Sequence, residues 1–196
     1  MWNPCCLVSE SRTEDISLHS SSIDVIMCPG TKIRMKAGQR HRVQWCQYHR
    51  VLHFPYGKGS NTNKAAGCAI FLRNYIPDRH ILQVVMPPMD LAGRGGAVLV
   101  TVGSLLYMII VLYFPPAPTE ACLVQPWVNA TKALHRWAQA VLNDCPTRVT
   151  PILGFDLNDN FGIQQGEVQV DDGIVGPHYP GHQNLAANTM RELKLQ

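Results

Sequence analysis

The 196-residue chain has few charged side chains and lacks several common sequence patterns. Charged residues make up only 16%, against about 25% in an average globular protein, which argues against a disordered chain or a coiled coil. The seven cysteines contain no C-x-x-C pair, so there is no zinc-finger spacing, and reduced thiols are the simplest interpretation. The first residues include neither a basic nor an apolar segment of a signal peptide. We therefore expect an intracellular protein, nuclear or cytoplasmic, that is not secreted.

The remaining composition is that of one folded domain. Hydrophobic residues make up 46% of the chain, and the net charge is +3 at neutral pH. A chain of this length buries about 70% of its unfolded surface, so it needs no disulfide scaffold. The charge is compatible with a polyanionic partner but does not by itself indicate one. We expect a single monomeric domain over residues 1–196.

One segment has the composition of a membrane span. Residues 97–114 form an uncharged run, AVLVTVGSLLYMIIVLYF, which is near the lower length limit of a transmembrane helix. The alternative is a hairpin of two buried strands. Gly103-Ser104 in the middle of the run and its many β-branched residues favour the hairpin. We therefore predict no membrane association.

The other apolar segments predict strands alternating with a few helices. Ala130, Leu134, Trp137 and Val141 recur at helical spacing and place an apolar face on a helix over 126–143. This alternation predicts an α/β or α+β sandwich. The predicted strands cover 23–27, 65–72, 80–85 and 149–155, and shorter helices are predicted near 12–20 and at 185–195.

The strongest candidate for chemistry is Asp156-x-Asn158, which follows a buried strand. Side chains two residues apart on a pleated backbone point the same way. Such a pair can hold a hard cation, or orient a phosphate and its attacking water. The alternative is a loop in which these side chains form Asx-turns. An EF-hand loop beginning at Asp156 is disfavoured, because Phe161 occupies the glycine position and no helix precedes the loop.

Two further groups of residues carry weaker signals. The basic residues of segment 32–43 belong either to a solvated loop or to one that faces phosphate. The pairs His49/His53 and His178/His182 have zinc-ligand spacing. The segment 178–182 contains Pro180 and Gly181 and cannot be helical, and 49–53 has no third ligand nearby, so we expect surface or partly buried histidines. The basic residues that we assign as candidate nucleic-acid contacts are Lys32, Arg34, Lys36 and Arg40.

Several short motifs occur in an order and spacing that resemble one family. Together they resemble the endonuclease/exonuclease/phosphatase superfamily, specifically the endonuclease domain of non-LTR (LINE-like) retrotransposons. The motifs that carry the resemblance are Trp2-Asn3 with Leu7, Asp24-Val-Ile-Met-Cys-Pro-Gly-Thr31, Ala66-Gly-Cys-Ala-Ile-Phe-Leu72, Tyr113-Phe-Pro-Pro116 and Gly154-Phe-Asp-Leu-Asn158.

The resemblance implies a four-layer α-β-β-α sandwich and Mg²⁺-dependent cleavage of phosphodiesters, with DNA as the partner. Carried over to this chain, it implies that Asn3 helps to hold the metal and that Tyr113 contacts the scissile phosphate. Asp156 would activate the attacking water, and Asn158 would orient that water or the phosphate. These roles are chemically sufficient for the reaction. The metal neutralises charge on the phosphorane, and the carboxylate takes a proton from the attacking water.

Two departures from the family pattern weaken the expected activity. Gly30 stands at the position of the metal-ligand glutamate, and the family's closing S-D-H is absent before Gln196. On the resemblance, the domain therefore lacks its final strands. We expect either a weakened or inactive endonuclease, or a non-catalytic module of the same fold that still binds nucleic acid or phosphate.

Overall fold

The computed structural model describes residues 7, 9–34, 40–57, 66–116, 118 and 120–158. Within these ranges the chain forms two four-stranded sheets and two α-helices, with strand orders β1-β4-β3-β2 and β5-β6-β7-β8. All strand pairs are antiparallel except β7 with β8. The elements are α1 Glu10–His19, β1 Val25–Pro29, β2 Arg42–Trp45, β3 His49–Phe54, β4 Cys68–Arg73, β5 Ile81–Val85, β6 Gly95–Val102, β7 Leu105–Tyr113, α2 Val124–Asn143 and β8 Val149–Asp156.

The uncharged run at 97–114 forms the hairpin β6–β7, as predicted. The strands pair from Val102↔Leu105 to Gly95↔Leu112, and Gly103 turns the chain with a φ of 60°. This left-handed conformation is one that glycine adopts without steric cost. No helix in the described ranges is long and apolar enough to cross a membrane.

The two helices cover the outer faces of the two sheets. Ser9 caps α1 by accepting a hydrogen bond from the Arg12 backbone N–H, and Ile16 packs against the first sheet. The predicted apolar face of α2 is confirmed in part, because Leu134 and Val141 are buried against the second sheet while Trp137 is only partly buried. The order of layers is therefore helix, sheet, sheet, helix, which confirms the predicted four-layer sandwich.

Two glycines allow the sheets to approach each other closely. A Cβ atom on Gly96 would collide with the ring of Phe54, and one on Gly154 would lie 2.7 Å from the sulfur of Met27. Around these contacts the facing sides of the two sheets form one apolar core. Its most buried members include Phe54, Cys68, Ile70, Leu72, Val98, Val100, Ile109 and Val111.

The prediction of surface or partly buried histidines is wrong for His49 and His53. Both lie on β3 and are fully buried. His49 makes hydrogen bonds with the Ser17 hydroxyl, at 3.1 Å, and with the Ile23 carbonyl, at 2.8 Å. These contacts satisfy a buried polar ring, so His49 joins α1 to the first sheet. His178, His182 and the helix predicted at 185–195 lie outside the described residues.

Candidate active site

The candidate site lies at one end of the sandwich, where β1, β7 and β8 end and β4 and β6 begin. Asp156 is the last residue of β8, and it pairs in parallel register with Tyr113, the last residue of β7. Gly30 directly follows β1, and Arg94 directly precedes β6. The two sheets therefore bring residues from distant parts of the sequence to the same end. Because a strand precedes Asp156 where an EF-hand needs a helix, the EF-hand alternative is excluded.

An Asx-turn fixes the carboxylate of Asp156. The backbone N–H of Asn158 donates to Asp156 Oδ1 at 2.9 Å, and Asn158 has a φ of 49°. Asparagine tolerates this left-handed conformation better than most residues. The Asx-turn that the sequence left as an alternative is therefore present. It is compatible with a chemical role, because it holds the partly buried carboxylate in a fixed orientation at the end of the strand.

The segment Tyr113-Phe-Pro-Pro116 is anchored to the same turn. The Phe114 N–H donates to the Asp156 carbonyl at 2.9 Å, and the Asn158 side-chain amide donates to the Phe114 carbonyl at 2.6 Å. On the other side, the indole N–H of Trp127 donates to the Pro115 carbonyl at 2.9 Å. These hydrogen bonds fix Tyr113 and Asp156 relative to each other, and they connect both to α2.

Arg94 is a site residue that the sequence motifs did not identify. Its guanidinium carbon lies 5.2 Å from the centre of the Tyr113 ring, and the Tyr113 N–H donates to the Arg94 carbonyl at 2.8 Å. Arg94 is only 6% exposed, and burial lowers its pKa from the usual 12.5, although a guanidinium remains charged at neutral pH. The signal in the sequence was a lone arginine placed directly before a long apolar run.

The thiol of Cys68 lies among these groups. Burial strongly raises the pKa of Cys68; the Arg94 charge and a hydrogen bond from the Gly30 backbone oppose the increase, and the Asp156 charge adds to it. Cys68 is therefore a neutral thiol with little nucleophilic character. Gly30, Arg94 and Asp156, which lie at or beside the ends of three different strands, are thus all near enough to act on this one thiol.

The described residues do not complete a magnesium site. Gly30 is buried, has a φ of 73° and offers no side chain where the family pattern has a glutamate. Magnesium is usually held in octahedral geometry by one or two carboxylates together with waters and substrate phosphate. Within the described ranges, no three His, Cys, Asp or Glu side chains come together in a way that can hold a metal ion. The donors present are the Asp156 carboxylate and the Asn158 amide, and Asn3 lies outside the described residues.

Three of the four predicted basic residues lie at this end of the sandwich. Lys32 and Arg34 are exposed, and their segment is joined to the residues before β4 by a hydrogen bond from the Lys32 N–H to the Ala66 carbonyl. Arg40 is exposed and donates to the Pro87 carbonyl at 3.1 Å, beyond the end of β5. Lys36 lies outside the described residues. The positive charge of these side chains is thus placed on the same side as Asp156.

Comparison with known proteins gives similarity in structure alone. No protein-family model and no curated protein matches the chain. The AP endonuclease LMAP from Leishmania major is similar with a TM-score of 0.58 and 13% identity, over 93% of this chain and 61% of that structure. The catalytic domain of APE2 from Xenopus laevis is similar with a TM-score of 0.52 and 12% identity, over 88% of this chain and 63% of that structure.

The chain therefore has the fold of these two structures, which confirms the endonuclease/exonuclease/phosphatase type of sandwich that the sequence motifs implied. The chain spans about three fifths of the length of the two similar structures. At these identities the likeness establishes the architecture, whereas the chemistry has to be argued from the residues at the end of the sandwich.

Proposed function

We propose that this chain is a DNA phosphodiesterase domain of the non-LTR retrotransposon endonuclease type, with a slow hydrolytic step. The observation that carries the proposal is the arrangement of Tyr113, Asp156 and Asn158, held together at the end of the two sheets by the hydrogen bonds of Phe114. The fold shared with the two similar structures and the endonuclease activity named for LMAP support it. The order of the five sequence motifs supports the retrotransposon type.

The residues support hydrolysis by an activated water. The Asp156 carboxylate takes a proton from a water molecule as the water oxygen bonds to phosphorus, and the phosphorus–oxygen bond to the leaving group breaks. Tyr113 and the Asn158 amide orient the phosphate. The buried guanidinium of Arg94 supplies positive charge beneath Tyr113, where negative charge develops in the transition state. The leaving oxygen takes its proton from solvent.

Gly30 is the reason for proposing a slow step. The resemblance implies Mg²⁺, which stabilises charge on the phosphoryl oxygens when it is bound. Gly30 removes one anionic ligand from that site, and loss of a single charge-stabilising group typically costs about 10²–10³ in rate. We therefore expect weakened magnesium binding and slow turnover.

A second candidate function is DNA binding without hydrolysis, and the same glycine favours it. Lys32, Arg34 and Arg40 contact backbone phosphates in both proposals, together with Lys36. Phosphate contacts of this kind supply affinity without base specificity. In this alternative, Asp156 and Asn158 serve only to position the phosphate contacts.

A nicking and binding assay separates the two candidates. The full chain is incubated with Mg²⁺ and either supercoiled plasmid or a duplex carrying one abasic site, and duplex affinity is measured by fluorescence anisotropy. The retrotransposon type predicts slow nicking of undamaged plasmid. Preference for the abasic duplex would instead indicate the activity named for the similar structures. Nicking should be lost in Asp156→Asn, while duplex affinity stays within about twofold.

Asp144→Asn is the matched control, because Asp144 is an exposed carboxylate beyond the end of α2. It should nick and bind like the unaltered chain. Binding without nicking would support the second candidate. Nicking that survives in Asp156→Asn, or the absence of any DNA retention at low salt, would contradict both.

A further inference from the structure

A cavity lies between the sheets at the end opposite Asp156. Its volume is about 260 Å³. The floor consists of the buried side chains Ile76, Val100 and Ile109. Ile152, near the beginning of β8, forms part of the wall. An engineered apolar cavity of about 150 Å³ is large enough to bind benzene, so this cavity has room for a somewhat larger organic group.

The mouth of the cavity is polar and anionic. Asp24, Tyr75 and Tyr107 all line the opening, and the Asp24 carboxylate lies close enough to the Tyr75 hydroxyl to act on it electrostatically. Partial burial, followed by the interaction with the Asp24 carboxylate, raises the pKa of Tyr75, and the charge of Arg73 opposes this increase; the Tyr75 hydroxyl therefore remains a neutral donor at physiological pH. The mouth therefore combines one carboxylate with two aromatic rings.

The Asp24 carboxylate forms no ion pair among the described residues. The two ion pairs in that part of the chain are Arg42–Glu10 and Arg50–Asp78. Arg73, whose backbone N–H donates to the Asp24 carbonyl, directs its guanidinium over the ring of Tyr48, 5.7 Å from the ring centre. Asp24 therefore lines the apolar cavity without an ion pair among these residues, while the charge of Arg73 reaches the neighbouring Tyr75 hydroxyl.

We propose that this cavity binds a small organic ammonium ion with an apolar body. The ammonium group pairs with Asp24 at the mouth and contacts the faces of Tyr75 and Tyr107, because aromatic faces attract cations. The apolar body fills the space above Ile109. This combination of apolar lining and a few placed polar groups is typical of small-molecule sites. The site is independent of the proposed nuclease function, since it lies at the other end of the sandwich.

The test uses 2-phenylethylamine as the probe and 2-phenylethanol as its neutral counterpart of nearly equal shape. Binding to the full chain is measured by titration calorimetry and by amide chemical shifts. The amine should bind about five- to tenfold more tightly than the alcohol, as expected for one partly screened ion pair with cation–π contact. Chemical-shift changes should cluster at Val25, Ile76 and Ile109.

Asp24→Asn should reduce amine affinity by the same factor and leave alcohol affinity within about twofold. Asp144→Asn removes an exposed carboxylate elsewhere on the chain and should change neither the amine affinity nor the alcohol affinity. Ile152→Trp should abolish binding of both probes by filling the cavity; if that variant does not fold, Val102→Phe at the rim serves the same purpose. Equal affinities for amine and alcohol, no binding of either, or shifts centred on Asp156 would overturn the proposal.

Discussion

The side-chain amide of Asn158 donates a hydrogen bond to the backbone carbonyl of Phe114, with 2.6 Å between the two atoms. The residues are 44 positions apart, yet this bond places the end of β8 against the end of β7. Because Tyr113 and Asp156 lie on either side of it, the bond determines the geometry of the candidate site. It also gives a structural reason for the amide of the D-x-N motif that does not depend on catalysis.

Replacing this amide by a carboxylate should weaken the fold as well as the site. In Asn158→Asp an acceptor faces the Phe114 carbonyl, so we expect the free energy of unfolding to fall by about 1–3 kcal/mol. Urea unfolding at neutral pH measures the change. Asn129→Asp is the control, because Asn129 is exposed on α2 and accepts a hydrogen bond from Gln125, which a carboxylate also accepts. Equal stability of the two variants would show that the bond to Phe114 contributes little.

Restoring a carboxylate at Gly30 should raise magnesium-dependent nicking. Gly30→Asp places a ligand close to the end of β1, and aspartate tolerates the left-handed backbone of this residue better than glutamate does. We expect nicking to increase at least about tenfold with Mg²⁺ and not with EDTA. Gly30→Ala introduces the same backbone strain, about 1 kcal/mol, but no carboxylate, so its nicking rate should not increase. An equal effect of both variants would contradict the assignment of Gly30 to the metal-ligand position.

Removing the exposed charges near the site should reduce the salt dependence of DNA binding. In the double variant Lys32→Asn and Arg34→Gln, the slope of log Kd against log salt concentration should fall by about 0.9 for each phosphate that the protein no longer neutralises. Asparagine suits position 32, where φ is 58°. The matched control is Lys132→Gln with Arg136→Gln, which removes two exposed charges from α2. If the two pairs change the slope equally, the charges near the site have no special role.

The buried ring of His53 should make the fold sensitive to mild acid. Burial, with a smaller contribution from the Arg42 charge, lowers the pKa of His53 from 6.5 to about 4. The unfolded chain therefore binds a proton in this interval that the folded chain does not. The free energy of unfolding therefore decreases as the pH falls from 6.5 toward 4, by up to about 3 kcal/mol.

Urea unfolding at several pH values tests this dependence. His53→Gln should flatten the curve of stability between pH 6.5 and 4, whereas His41→Gln, which alters an exposed histidine, should leave the curve unchanged. If the free energy of unfolding of His53→Gln depends on pH as steeply as that of the unaltered chain, the acid sensitivity comes from other groups.

Adding one methyl group between the sheets should destabilise the sandwich. Gly96→Ala directs a Cβ atom into the ring of Phe54, and overpacking of this kind costs about 1–3 kcal/mol. Gly57→Ala is the control, because its Cβ atom would meet only Ala92, at 3.8 Å. Thermal unfolding compares the two variants. Recovery of stability in Gly96→Ala with Phe54→Leu would confirm that the ring is the obstacle.

Most of the described helices and strands were predictable from the sequence, and two neighbouring strands were not. The β6–β7 hairpin, α2 and β8 with its terminal Asp156-x-Asn158 were all predicted close to their observed ranges. Strands β2 and β3 were missed. All of β3 is buried, so His49 and His53 on that strand are core residues, although their polar side chains favour a surface location. Such a strand shows no alternation of polar and apolar residues.

The sequence by itself determined the alternation of strands and helices and the position of the candidate carboxylate at the end of a strand. These features depend on residues close together in the chain, where local spacing and backbone preference act directly. The tertiary structure decided that Arg94 lies beneath Tyr113, that Cys68 lies among Gly30, Arg94 and Asp156, and that a cavity opens beside Asp24. The contact between Arg94 and Tyr113 depends on the register of the β6–β7 hairpin. The surroundings of Cys68 and the cavity beside Asp24 depend on strands from both sheets, which are far apart in sequence and come together only when the sheets pack.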